Sequence, residues 1–256
     1  MAVTADVREL TEVQDMRLAT DLITRIWQAE APPVPFSFMR ALSHSGAQVI
    51  GGFVDGRLAG VAVGFPGTDA DGPLLHSHVV GVDARWRGTG LGHAIKLAQR
   101  DWCLQRGIKR MVWTFDPLRV GNACFNLNRL GARGVSYHHD FYGPLDDGFN
   151  RGIPTDRVLV HWDLADAESG PRPATAPTGP YVLDLDTAGR PVAGACEADA
   201  DGEVRLRVPA RPPADPSQAL AWRLALREAM QPLMRSGHRW TTAHADGTYV
   251  LTAPQT

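Results

Sequence analysis

The sequence predicts an α/β protein, and three observations carry that prediction. Runs with the two-residue period of strands alternate along the chain with runs of near-3.6 helical period. A glycine-rich turn joins one of these strands to an amphipathic helix within the first hundred residues. The composition is that of a soluble globular chain: 256 residues, 44% hydrophobic and 21% charged. A chain of that length buries roughly 70–75% of the surface its unfolded form exposes, so it needs no disulfide or structural metal to hold a core.

The elements follow in order. After a short first strand, Leu18, Ala19, Leu22, Ile23 and Ile26 keep helical spacing. Pro32, Pro33 and Pro35 end that helix, because proline has no N–H to continue the ladder. A second short helix is expected over 36–42. The run QVIGGFVDGRLAGVAVGF holds two β-rich stretches about Asp55-Gly56, residues that accept the positive φ angles of a two-residue type I′ turn. A third strand covers 74–82. Leu91, Ile95, Ala98 and Trp102 line one face of a helix that Gly107 stops. RMVWTF reads as a strand, 122–130 as a shorter helix ending at Gly131, and 134–142 and 157–164 as strands.

Residues 165–180 hold four prolines in sixteen positions and no apolar period, the composition of a linker. The chain therefore divides into a domain over 1–164, a linker over 165–180 and a small β-α-β-β piece over 181–256. In that piece 204–208 is a strand. Asp215 caps a helix with Pro216 at its first position, and Trp222, Leu226, Met230 and Leu233 form the helix's apolar stripe. Gly237 stops the helix, and a hairpin about Asp246-Gly247 ends the chain. The piece is too small for a comfortable independent domain, so it is expected to pack on the first domain or on a second subunit of a homodimer.

Charge excludes one class of partner. The 26 basic residues face 28 acidic ones, a net of −2. All the basic residues except Lys96 and Lys109 are arginines, scattered rather than gathered into a stripe, so the footprint of a nucleic-acid binder is missing. Cys103, Cys124 and Cys196 are isolated, with no CxxC pair, as in a reducing compartment. The opening MAVTADVREL lacks a signal-peptide pattern and no run approaches ~18 apolar residues. A cytoplasmic protein without a membrane span is expected.

The chemistry lies in HSHVVGVDARWRGTGLGHAIKLAQRDW. A strand feeds a turn in which Arg87-Gly88-Thr89-Gly90-Leu91-Gly92 opens a helix. Three glycines let the backbone approach a ligand, and the N–H groups at the helix start point into the loop with the positive end of the helix dipole behind them. This is an anion cradle suited to a pyrophosphate. A dinucleotide fingerprint fails, because His93 stands at its third glycine and Asp101 lies inside the helix instead of after a second strand. The GK[ST] of a P-loop is absent as well. A nicotinamide-dependent oxidoreductase ranks last among the readings.

The arrangement resembles the GNAT superfamily of acyl-CoA-dependent N-acyltransferases. Their pyrophosphate loop reads [RQ]xxGx[GA] after a strand ending V-x-P-x-[YW]. Here Val82-Asp83-Ala84-Arg85-Trp86 precedes Arg87, Gly90 and Gly92. Their second signature is an asparagine followed by a helix ending LG[FA], matched by Asn122-Ala123 and Leu130-Gly131-Ala132. The likeness covers roughly 6–164. Within the superfamily, SHVVGV, WTFDPL, NACFNLNRLGA and NRGIPTDR resemble a bacterial subgroup associated with N-succinylamino-acid racemases. The resemblance implies a mixed, largely antiparallel sheet flanked by helices. It also implies acetyl-CoA or succinyl-CoA as co-substrate, a small primary amine such as an amino acid as acceptor, direct attack in a ternary complex, and no metal.

It also assigns residues. Arg87, Gly88, Thr89, Gly90, Leu91 and Gly92 would hold the pyrophosphate, with Asn122 bonding pantetheine or phosphate. Two-residue alternation places His76, His78, Val80 and Val82 on one strand face. In the superfamily this strand splays from its neighbour, which makes Val80 and Val82 backbone ligands and puts His78 beside the reacting centre as general base. His76 is structural or faces the substrate. A metal held by His76 and His78 with His138, His139 or His161 lacks an acidic or cysteine ligand spaced to complete the set. Leu127 stands where the family's thiolate-protonating tyrosine would be, with Tyr137 and Tyr142 downstream. Cys124 reads as a small buried apolar residue. In the loop 143–157, Asn150, Arg151 and Arg157 are candidates to pair with a carboxylate on acceptor or donor. The other class consistent with the sequence is a catalytically degenerate acyl-CoA-binding or regulatory module; Leu127 favours it and His78 opposes it.

Overall fold

A computed structural model describes residues 4–150, 152–165, 177–194 and 202–254. Arg151, Cys196 and most of the expected linker lie outside the described residues. The chain forms two compact units. One comprises 1–113 with 146–149 and 163–165, and the other 114–145 with 150–162 and 166–256.

The first unit runs β1 (Asp6–Glu9), α1 (Val13–Trp27), α2 (Phe36–His44), β2 (Gln48–Val54), β3 (Arg57–Asp69), β4 (Gly72–Val82), a 3-10 turn (Ala84–Trp86), α3 (Leu91–Gln105) and the start of β5 (Arg110–Phe115). β1 to β4 pair antiparallel in sequence order, and β5 joins β4 in parallel. Asp55 and Gly56 take φ of 49° and 72° and close the β2–β3 hairpin at Val54↔Arg57, the type I′ geometry their chemistry allows.

Period-two alternation gives the sheet two apolar faces. On one, Met16, Ala19, Leu22 and Ile23 of α1 pack on Val49, Val61, Val63 and Val79. On the other, Leu91 and Ile95 of α3 pack on Ile50, Ala59 and Ala62. The α3 stripe is therefore buried by the sheet, which pins the start of that helix against β3 and β4.

The second unit contains α4 (Val120–Ala123), a π-helical turn (Cys124–Arg129), β6 (Arg133–His138), β7 (Arg157–Asp163), β8 (Tyr181–Leu185), β9 (Pro191–Ala193), β10 (Glu203–Arg207), α5 (Pro216–Arg235), β11 (Arg239–Ala243) and β12 (Thr248–Thr252). β7, β6, β11, β12, β10, β8 and β9 lie side by side in that order. Only the β8–β10 contact among them is parallel. Each unit holds a mixed, largely antiparallel sheet flanked by helices, as the resemblance implies. β8 and β9 precede the β-α-β-β order read from sequence; they are short, and separated by the Asp186–Gly189 turn. The helix expected over 122–130 is α-helical only to Ala123 and then widens to i→i+5 bonding.

α5 begins as expected, with the Asp215 side chain accepting from the Ser217 N–H at 2.7 Å. Its buried stripe includes Arg223 as well as Trp222, Leu226, Met230 and Leu233. Arg223 is 0% exposed and grips Asp116 with both terminal nitrogens, at 2.5 and 2.7 Å. One turn on, Arg227 grips Asp156 at 2.9 and 2.7 Å, and Asp156 also accepts from the Tyr137 hydroxyl at 2.8 Å. Among the described residues no helix is long and apolar enough to cross a membrane.

Candidate functional site

The site in the first unit is built on a defect in β4. From Gly60↔Val82 to Val63↔Val79 the β3–β4 register is regular; the next pair is Gly64↔Ser77, so His78 is an extra residue with no opposite number. Such a bulge advances the side-chain phase by one. The expected common face for His76, His78, Val80 and Val82 is therefore not formed. Val80 and Val82 pack with Leu91 and Ile95 of α3. His76 pairs instead with Phe65, on the face that Val61 and Val63 present to α1. His78 swings to the same side. The three rings cluster, Phe65–His76 at 5.1 Å, Phe65–His78 at 6.0 Å and His76–His78 at 6.1 Å between centroids.

The bulge leaves the backbone phase of Val80 and Val82 legible. The Asp83 N–H donates to the Ala59 carbonyl at 2.8 Å. By antiparallel alternation Gly81 and Val79 then exchange bonds with β3, while the N–H and C=O groups of Val80 and Val82 point away from it. The Val82 carbonyl accepts from Arg87 Nε at 3.3 Å on that side. β5 lies along the same edge lower down, where its register with β4 is Leu75↔Met111 and His76↔Val112; β4 continues to Val82.

The turn after β4 delivers the cradle. Asp83 accepts from the Arg85 N–H at 3.0 Å, and Thr89 Oγ1 donates to the Trp86 carbonyl at 2.7 Å. Gly88 and Gly90 have φ of 78° and 95°, and a Cβ on either would meet nothing within 4 Å. These glycines are required by conformation, not by close packing. Leu91 is buried against the sheet, so it can offer a ligand only its N–H. The N–H groups of the first α3 turn have no acceptor within the helix.

Both histidines are neutral at pH 7. Burial first, then repulsion of its protonated form by His78 and Lys96, pushes His76 down to about 4. Burial also holds His78 below the ordinary histidine value, although its ring borders solvent. A neutral imidazole at a solvent edge can accept a proton. An open cleft of about 810 Å³ lies elsewhere in the unit, lined by Asp6, Arg8, Arg25, Phe53 and Arg57 among others, and takes in neither the bulge nor the cradle. Among the described residues no cluster of three or more His, Cys, Asp or Glu could hold a metal.

The other sequence candidates fall in the second unit. Asn122 is exposed in α4, its Oδ1 3.5 Å from Asn126 Nδ2. Leu127 is fully buried in the π-helical turn. Tyr137 is spoken for by Asp156, and burial and that carboxylate push its hydroxyl far above the ordinary tyrosine value. Tyr142 lies 3.1 Å from Thr114 Oγ1. Asn150 is buried, and its Oδ1 accepts from Arg157 Nη2 at 2.8 Å, so both side chains point into the unit. Cys124 is half-buried, its thiol pushed up by burial, as an inert small residue would be. Sequence reasoning passed over Asn128, which bonds both the N–H and the C=O of Ala243 at 3.0 and 2.6 Å, and the buried Lys96 of α3. A lysine inside an apolar helix stripe was the signal for the latter.

Residues 13–125 match a family model described as the acetyltransferase (GNAT) family, a little under half of the chain and a span that includes the bulge, the cradle and Asn122. No curated protein matches the chain. Among solved structures, the ribosomal-protein-S18-alanine N-acetyltransferase from Escherichia coli is 18% identical over 64% of this chain and 96% of its own, with a TM-score of 0.48. A GNAT-family acetyltransferase from Streptococcus pneumoniae is 13% identical over 62% and 98%, with a TM-score of 0.49. Arabidopsis thaliana Naa50, in complex with the bisubstrate analogue CoA-Ac-MVNAL, is 12% identical over 62% and 98%, with a TM-score of 0.48.

Proposed function

We propose that this chain, whose residues 13–125 carry the GNAT acetyltransferase pattern, is an acyl-CoA-dependent N-acyltransferase acting on the primary amine of a small molecule. The observation that carries the reading is the junction of cradle and strand. The anion-binding start of α3 follows directly on the β4 edge where Val80 and Val82 turn their backbone groups away from β3. The pyrophosphate of CoA would lie on the first-turn N–H groups of α3 with Arg87, Gly88, Thr89 and Gly90 around it, and the pantetheine and acyl carbonyl along Val80 and Val82. Asn122 is the proposed further contact to the cofactor.

His78, neutral and at the bulge, takes a proton from the acceptor ammonium. The freed amine attacks the thioester carbonyl carbon, forming the C–N bond. The tetrahedral adduct collapses, the C–S bond breaks, and CoA leaves as a thiolate that takes its proton from solvent. Leu127 supplies none. Holding amine and thioester together contributes much of the rate, and strand N–H groups stabilise the developing oxyanion. His76 backs His78 within the ring cluster and is proposed to face the acceptor.

The finer proposals rest on the subgroup resemblance. They are an amino-acid-like acceptor, succinyl-CoA as an alternative donor to acetyl-CoA, Asn150 and Arg151 as acceptor contacts with Asn150 working through the Arg157 it holds, and a cytoplasmic homodimer.

Thermal unfolding with excess CoA, acetyl-CoA, succinyl-CoA or NADPH tests the reading. A ligand at 100 times its Kd adds about 2.7 kcal/mol, and each kcal/mol raises Tm by about 2–4 °C in a chain of this size. CoA species are expected to shift Tm and NADPH to leave it unmoved, with the largest shift nominating the donor. No shift with any CoA species would sink the proposal. Gly90→Val forces a β-branched residue to positive φ, so it is expected to cost about 1–3 kcal/mol of stability and to abolish the CoA shift. A variant that keeps the full shift would dissociate the cradle from CoA.

A further inference from the structure

Lys96 is one of only two lysines in the chain, and it is 2% exposed. Its Nζ donates to Ser77 Oγ at 2.9 Å, lies 3.4 Å from Met111 Sδ and sits 3.7 Å from the centroid of the Trp113 ring. Ser77 in turn donates to Gln99 Oε1 at 2.9 Å. Among the described residues Lys96 forms no ion pair. The groups facing it are Ser77 and His76 from β4, Gln99 and Cys103 from its own helix, and Met111 and Trp113 from β5. Cys103 offers no counter-charge, because burial pushes its thiol up to about 12.

The register explains the place of this amine. β4 and β5 pair at Leu75↔Met111 and His76↔Val112. The next pair in parallel register would be Ser77 with Trp113, and those are the two residues Lys96 reaches, one by hydrogen bond and one by cation–π contact. The bulge residue His78 follows immediately.

We propose that Lys96 is a positioning residue for acyl transfer: anchored in α3, it spans Ser77 and Trp113 where β4 leaves β5, and fixes the bulge that carries His78. The proposal rests on the acyltransferase reading. An apolar side chain of similar length would fill the space at lower desolvation cost. What the amine adds is direction, since it forces the Ser77 hydroxyl to accept from Lys96 and donate to Gln99.

Lys96→Met tests it, with Lys96→Arg as companion. Burial brings the Lys96 amine down to about 7, below its unfolded value of 10.5. The cost of burying its charge is therefore full below pH 7 and is relieved as pH rises from 7 toward 10.5. Lys96→Met is thus expected to melt higher than wild type at pH 6, with the gap narrowing at pH 9, so a folded variant is available. In that folded variant kcat is expected to fall at least tenfold while CoA affinity stays within about twofold. Amide exchange at 77–80 is expected to quicken, and Lys96→Arg, too large for the site, to rescue none of it. An unchanged kcat, or a parallel loss of CoA affinity, would overturn the positioning role. If wild type itself fails to bind CoA, the acyltransferase reading fails instead, and unchanged exchange at 77–80 in Lys96→Met would then remove the structural half of this inference too.

Discussion

His78→Ala is expected to lower kcat by about 10²–10⁴-fold, the usual worth of a positioned general base, while CoA affinity measured by titration holds. The side chain lies at the solvent border of the bulge, so the variant should fold. The pH profile makes the assignment sharper. Burial keeps the His78 imidazole below the ordinary histidine value, so it is charged, and useless as a base, only when pH drops below about 6.5. The wild-type kcat/KM is therefore expected to stay level in His78 terms down to that region and to fall on its acid side. His78→Ala should erase that limb and leave only the acceptor amine's own titration. Turnover undiminished in His78→Ala would make the strand's backbone donors sufficient on their own and strike the histidine from the mechanism. A wild type that binds CoA but turns over no amine would instead mark the chain as a binding module.

The second large effect is structural. Arg223→Ala is expected to destabilise the chain by about 3–5 kcal/mol, the cost of leaving a buried partner charge uncompensated. Asp116 is that partner, 8% exposed and gripped by both terminal nitrogens of Arg223. Burial favours its neutral form, but the hydrogen bonds and charge of Arg223 outweigh it and hold the carboxyl below the ordinary aspartate range. The pair's contribution is accordingly present above the unfolded aspartate value of about 4 and is lost as pH falls through the lower folded value. Arg223→Met combined with Asp116→Leu is expected to recover most of the loss, because two apolar residues leave no charge stranded. Urea unfolding of the three proteins reads both results. A loss under 1 kcal/mol in Arg223→Ala would show that water or a neighbour replaces the guanidinium.

The two predictions separate what local sequence carries from what it cannot. Residues 87–92 announced a cradle because glycine spacing, a preceding strand and a following apolar stripe are all local signals, and Gly88 and Gly90 do take the positive φ that spacing requires. Asp55-Gly56 announced its hairpin for the same reason. The apolar period of α1, α3 and α5 marks their buried faces, although Leu18 of the α1 reading stays exposed.

The face of β4 is not legible in the sequence because a bulge belongs to two strands at once. Nothing in HSHVV says that β3 will supply one residue fewer, and a single inserted residue moves His76 and His78 to the opposite side from Val80 and Val82. Asp116 and Arg223 stand 107 residues apart, and only tertiary packing brings them together. Asn150 reads in sequence as one more polar loop residue, and only the tertiary structure shows that its amide oxygen accepts from Arg157. The order of elements in the first unit and the positive-φ glycine turn were thus legible in the sequence alone, since each depends on neighbours within a few residues. The phase of β4, the burial of Lys96 and the buried ion pairs were decided by the tertiary structure, because register and burial are properties of which distant segments meet.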